Sequence, residues 1–530
     1  MKQLHIYDTT LRDGTQREGI ALSLADKIKI TTLLDSLGVA YIEGGWPGSN
    51  PKDAAYFDVV RDVPLQHAKI AAFGSTCHKD NHPEDDGNIH ALIKAQTDIV
   101  TVVGKSSPLH VEDVLQTTME NNLRMIRESV AYLKDQGKEV IYDAEHFFDG
   151  AQLDDEYALA TLFAALEGGA DCLVLCDTNG GALPSDLYGR FQWVGDALPD
   201  APLGIHTHND AELAVANTLV AVEAGARHIQ GTINGYGERC GNANLCSIIP
   251  NLQIKQDFDC IPADSLHRLT RIARTIAEIA NLAPDSHAAY VGKSAFAHKG
   301  GIHVAAMRLS ESSYQHINPQ IIGNEQRTLV SDLSGRGNIL NKAEQFGLDI
   351  NRQQAVSVLE EVKQLENQGF VFEGAEASIA IRLYRIQEDY QPLFTLVDFT
   401  VLVDHLGQAQ AIVKLDVGGE LMHTAADGNG PVNALDLALR KALLPLYPQL
   451  TDVQLVDYKV RILNSESGTA AITRVLIDTQ LGSTRWSTVG ASANIIQASW
   501  LALQDSIEYG LCLAPAVAPV TIVNQANGSS

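Results

Sequence analysis

CLVLCDTNGGALPSDLYGRFQWVGDALPDAPLGIHTHND, residues 172–210, holds one full cycle of the pattern that decides the fold. CLVLCD (172–177) and LGIHTH (203–208) read as short buried strands. Between them Pro184 opens a helical stretch whose Leu187, Phe191, Val194 and Leu198 share one face. Moving outward, the cycle repeats. HIQGTI (228–233) follows, and EVIYDA (139–144), DIVTVV (98–103), KIAAF (69–73), VAYIEG (39–44) and residues 4–8 precede it. Leu159, Leu162, Phe163 and Leu166 form an apolar stripe before Gly168. Ser23 and Asp26 have capping-box spacing ahead of Ile30, Leu33, Leu34 and Leu37, and Gly38 ends that helix. Eight strand–helix cycles in about 250 residues predict a closed (β/α)8 barrel. An open doubly wound sheet is the rival, and the eightfold count disfavours it.

The chain has 530 residues, enough for several domains, and 45% of them are hydrophobic. Residues 1–262 are expected to form the barrel and 263–390 a mainly helical linker beginning with LHRLTRIARTIAEIANL. Residues 391–512 are expected to form a β-rich module and 513–530 a frayed tail. In the module Thr424 matches Thr488, and Leu437, Ala438 and Leu439 match Leu501, Ala502 and Leu503, predicting a duplicated β-β-β-α unit of the α+β type. Such a unit fits regulation or assembly better than catalysis. No stretch reads as a membrane span or signal peptide, which predicts a cytoplasmic protein. The formal net charge of −26 opposes nonspecific binding to nucleic acid or an anionic membrane. Seven scattered cysteines indicate neither a disulfide framework nor a thiolate zinc site.

In a parallel barrel the active site forms at the carboxyl ends of the strands, and polar residues recur there. They include Arg12 and Asp13, Glu145, Asp177 and Thr178, His206 and His208, and residues 238–242. His206 and His208 are one residue apart, so on a strand their imidazoles point the same way. With Asp13 as the carboxylate and Asn242 as a fourth oxygen donor, they make a candidate first-row metal site. Taken alone, an HxH pair fits two packed or solvated histidines better than a metal site, and an isolated Arg12–Asp13 pair fits a surface salt bridge better than a catalytic one. At a barrel mouth the Arg12 guanidinium would instead hold a carboxylate and stabilise an oxyanion. GYGERCG (235–241) has one residue too many for a dinucleotide loop. Gly292-Lys293-Ser294 lacks the earlier glycine of a phosphate loop, with His287 in its place.

LRDGTQREGIALSLADK, with Lys27, together with IHTHND, GYGERCGNANL and AHKGGIH, resembles the isopropylmalate, homocitrate and citramalate synthase family over nearly the whole chain. The resemblance implies a TIM barrel, helical subdomains and an allosteric C-terminal domain, in a homodimer. It implies metal ligation by Asp13, His206, His208 and Asn242, with Arg12 at the keto oxygen. Arg12, Gln16, Glu145 and Thr178 would bind a 2-oxo acid, and His303 and Tyr314 would help activate acetyl-CoA. The expected reaction is a Claisen-type condensation followed by thioester hydrolysis. The length and the NGPVNALDLAL segment point to the citramalate-forming branch: pyruvate as substrate, isoleucine as effector and isoleucine biosynthesis as setting. Two departures are Glu212, where many members have glycine, and Trp46, where a smaller aromatic is common. The ligand set fits manganese or magnesium as well as zinc or cobalt. The alternatives are 2-isopropylmalate synthase, acting on 2-oxoisovalerate, and a two-histidine, one-carboxylate iron oxygenase. The non-catalytic alternative is an amino-acid-sensing binding protein.

Overall fold

The structure, a computed structural model, describes residues 2–463 and 465–513; from residue 514 onward the expected tail lies outside the described residues. The chain divides into two compact units. One holds the described residues up to Phe296 with Ile317–Glu325, and the other holds Ala297–His316 and the described residues from Gln326 onward.

In the first unit eight strands close a barrel: β1 (His5–Asp8), β2 (Tyr41–Gly45), β3 (Lys69–Ser75), β4 (Ile99–Lys105), β5 (Glu139–Glu145), β6 (Cys172–Asp177), β7 (Leu203–Thr207) and β8 (His228–Gly231). Each pairs in parallel with the next, and β1 closes the ring on β8 with Ile6 opposite Ile229. Alternation sorts the side chains. Leu173 and Leu175 join the core beneath the outer helices, while Cys172, Val174 and Cys176 turn inward with Tyr7, Tyr41 and Ile141. The helix α1 (Leu24–Leu37) starts at the expected capping box and ends at Gly38, whose φ of +92° is left-handed. The stripe Leu187, Phe191, Val194 and Leu198 is buried. Phe163 departs from expectation: it is 43% exposed, because Leu162 takes the inward position of that helix. Among the described residues no helix is long and apolar enough to cross a membrane.

The second unit contains α2 (Glu376–Arg385) and two antiparallel sheets. The first sheet is β9 (Thr395–Val403), β10 (Ala409–Val417) and β11 (Glu420–Gly428), followed by α3 (Pro431–Leu443). The second is β12 (Val453–Ile462), β13 (Thr473–Leu481) and β14 (Thr484–Ser492), followed by α4 (Ile495–Leu513). The predicted duplication extends to single hydrogen bonds. The Thr424 hydroxyl donates to the Ala438 carbonyl at 2.8 Å, and the Thr488 hydroxyl donates to that of Ala502 at 2.7 Å.

Candidate active site

The barrel delivers Asp13, His206, His208 and Asn242 to one point. Asp13 opens the short turn Asp13–Gln16 just after β1, where its backbone N–H donates to the Thr9 hydroxyl. His206 lies on β7 and His208 one residue past its end, on the same side. Their Nε2 atoms are 3.3 Å apart, and Asp13 Oδ2 lies 3.6 Å from one and 3.9 Å from the other. All three side chains are buried.

Asn242 arrives on the loop after β8 and forms a β-bridge with His208. Its amide nitrogen donates to Asp13 Oδ1 at 3.0 Å and to the Tyr236 carbonyl, which leaves Oδ1 buried without a partner. The loop glycines make this approach possible. A Cβ on Gly237 would fall 2.1 Å from the Asn242 amide, and one on Gly241, where φ is +94°, would fall 2.0 Å from the Gly235 carbonyl oxygen. The GYGERCG segment thus packs backbone against the site.

Charge is arranged to leave acceptors facing one another. Burial alone would raise Asp13, but Arg12, the two imidazoles and the Asn242 amide outweigh it and hold the carboxyl at about 2. Burial pushes His206 down, and burial together with His206 pushes His208 down to about 4. At neutral pH the cluster is one carboxylate and two neutral imidazoles, the protonation states that bind a metal. The donors are imidazole nitrogen and carboxylate oxygen, without thiolate, and Asn242, bonded to Asp13, carries a buried amide oxygen with no partner, so the residues fit a divalent cation.

Arg12 is locked rather than mobile. Its Nε donates to Glu43 at 2.6 Å, one terminal nitrogen donates to Asp13 at 3.0 Å, and the guanidinium lies 3.9 Å from the Phe73 ring centroid. Glu43, wholly buried, also accepts from the Tyr7 and Thr9 hydroxyls. Trp46 packs edge-on against Phe73 and donates from its indole to Asn88. Lys27 is buried and binds Asp53 and the Gly44 carbonyl, which anchors the segment after β2.

The other expected residues have varied surroundings. Glu145, at the end of β5, is ion-paired with Lys105 from the end of β4. Thr178 accepts from the His146 backbone N–H at 2.8 Å, and Gln16 is exposed on the turn that carries Asp13. The Asp177 carboxylate accepts from the backbone of Gly181 and Ala182. His303 and Tyr314 belong to the second unit, where their rings stack with centroids 4.0 Å apart. Glu212, the departure noted in the sequence, takes φ +61°, a left-handed conformation that favours glycine. Sequence reading missed Glu43, Gln230 and Asp143, although each is a polar residue inside an apolar strand run.

A closed (β/α)8 barrel with a buried two-histidine, one-carboxylate cluster at its carboxyl rim, joined to a duplicated β-β-β-α module, defines the class. Residues 3–276 match the HMGL-like family, 290–369 the homocitrate synthase post-HMGL domain-like family and 373–511 the LeuA allosteric (dimerisation) domain. The chain is 51% identical over 520 residues to "(R)-citramalate synthase" of Aquifex aeolicus, covering 96% of this chain and 98% of that protein. It is 52% identical to the protein of the same description from Synechocystis, covering 96% of each. A "Probable 2-isopropylmalate synthase" of Methanopyrus kandleri is more distant, at 31% identity over 94% of this chain and 96% of its own length. The chain belongs to the (R)-citramalate synthase family.

Proposed function

We propose that this chain condenses acetyl-CoA with pyruvate and hydrolyses the resulting thioester, giving (R)-citramalate and CoA. The observation that carries the reading is the convergence of Asp13, His206, His208 and Asn242 in a chain about half identical, end to end, to proteins named (R)-citramalate synthase. A divalent cation held by those four residues would act as a Lewis acid toward the ketone of the 2-oxo acid. Arg12, fixed by Glu43, presents a guanidinium to the oxygen that becomes an alkoxide and needs no reorganisation to do so. Glu145, Thr178 and Gln16 orient the 2-oxo acid. His303, with Tyr314 stacked on its ring, removes a proton from the acetyl methyl, and the resulting carbon nucleophile attacks the ketone. Water then cleaves the thioester, which makes the sequence effectively irreversible.

In this reading residues 1–262 are catalytic, 263–390 link the two modules, and 391–512 assemble a cytoplasmic homodimer and bind an end-product amino acid, isoleucine. The test is acetyl-CoA-dependent thiol release with a panel of 2-oxo acids, before and after chelation. Turnover with pyruvate, lost on chelation and restored by Mn2+, is expected. Preference for 2-oxoisovalerate would make the chain an isopropylmalate synthase, and oxygen uptake without thiol release would make it an iron oxygenase. Truncation after residue 390 should leave any residual turnover insensitive to isoleucine; inhibition of the truncated chain would contradict the regulatory assignment.

A further inference from the structure

His206 offers its two ring nitrogens to different partners. Nε2 faces His208 and Asp13, while Nδ1 lies 2.8 Å from Gln230 Oε1. Gln230 in turn donates from its Nε2 to Asp143 Oδ1 at 2.9 Å. Gln230 is wholly buried and Asp143 is 3% exposed. The three residues come from β7, β8 and β5, so these contacts link three strands of the barrel.

The chemistry of the two hydrogen bonds gives the chain of contacts a direction. A primary amide accepts at its oxygen and donates at its nitrogen. The Asp143 oxygen accepts from the amide NH2, which leaves the amide carbonyl for His206. With the amide turned this way its carbonyl accepts, which places the proton on Nδ1 of the His206 ring and the lone pair on Nε2. Turned over, the amide would present its hydrogens to Nδ1 and favour the opposite tautomer. Space-filling alone does not call for a glutamine and an aspartate aligned in this order, since apolar side chains would fill the barrel interior without the penalty of burying polar groups.

We propose that Gln230 and Asp143 are positioning residues that set the tautomer of His206, so that its lone-pair nitrogen is the one turned toward Asp13 and His208. Asp143 acts through Gln230, and Gln230 through His206. The inference rests on the cation reading of the site, but its first readout needs no cation.

That readout is the 15N spectrum of histidine-labelled, metal-free protein, with His206 assigned by the loss of its signals in His206→Gln. The Nδ1–H tautomer is expected. Gln230→Leu removes the acceptor and should mix the tautomers and weaken Mn2+ binding about 10- to 100-fold. Asp143→Leu frees the amide to turn and should resemble Gln230→Leu. Asp143→Asn still offers a carbonyl to the amide NH2 and should resemble the wild type. An Nε2–H tautomer in the wild type would overturn the proposal, as would an unchanged tautomer and affinity in folded Gln230→Leu. So would Asp143→Asn proving as damaging as Asp143→Leu. If the wild type shows the expected tautomer yet binds no Mn2+, the cation reading falls and the tautomer assignment stands.

Discussion

Two polar clusters, one in each compact unit, differ in how their charges are paired. In the second unit Arg382 of α2 donates to Asp505 of α4 at 2.9 Å, and Arg385 pairs with Glu508, which also accepts from Tyr390. Two guanidiniums meet two buried carboxylates, with Glu361 3.5 Å from Arg382 as a third, and the result joins two helices. At the barrel rim one guanidinium, Arg12, serves two carboxylates, Asp13 and Glu43. Two imidazole nitrogens face each other there, and an amide oxygen is buried without a donor. A cluster of paired opposite charges holds a fold together. A cluster of acceptors around one point is built for something positive that comes from outside.

The sharpest way to break this contrast is to remove one group from the rim. His208→Ala should lower turnover by at least about 1,000-fold, equivalent to about 4 kcal/mol in the barrier, while thermal unfolding stays within a few degrees of wild type. Turnover near wild type would make the two clusters equivalent. The converse change, Arg382→Met, should destabilise the second unit by about 1–3 kcal/mol, because Asp505 loses one of its two guanidinium partners and keeps only Arg385, at 3.2 Å. Denaturant melts would show this, and the paired change Arg382→Met with Asp505→Leu should recover most of the loss. A double variant as unstable as the single one would contradict the structural role.

A finer cut distinguishes the loop from the ligands it carries. Gly241→Ala forces a side chain against the Gly235 carbonyl and should weaken Mn2+ binding by about 10-fold through displacement of Asn242. Unchanged affinity would separate the loop from the site. The smallest effect is expected at Glu212. Glu212→Gly relieves a left-handed non-glycine worth about 1–2 kcal/mol, against about 0.5–1 kcal/mol of added chain entropy. The net is a gain of about 1 kcal/mol or less in stability with turnover unchanged; a loss of stability would show that the Glu212 side chain contributes contacts of its own.

The barrel was legible in the sequence because parallel strands buried on both faces read as unbroken apolar runs separated by helical stripes. The rim cluster was legible because strand periodicity alone aligns His206 with His208, and the end of the first strand brings Asp13 to the same face. The Thr424 and Thr488 correspondence was visible because both hydroxyls bind the carbonyl of the same relative residue. The layer supporting these residues was not legible. Glu43 meets Arg12 from 31 residues away, Gln230 meets His206 from 24, and Asp143 meets Gln230 from 87, so no local spacing announces the contacts. The same holds for Lys105, whose pairing with Glu145 depends on the alignment of neighbouring strand ends. Phe163 was misplaced because a stripe four residues wide fixes the apolar side of a helix and not its rotation to within one residue.

A rim cluster built for a cation should hold one divalent ion per chain. Equilibrium Mn2+ binding, read by electron paramagnetic resonance on the wild type and on the double variant His206→Ala, His208→Ala, tests it directly. One ion per chain in the wild type and none in the folded double variant is the predicted result; equal occupancy in the two proteins would contradict it.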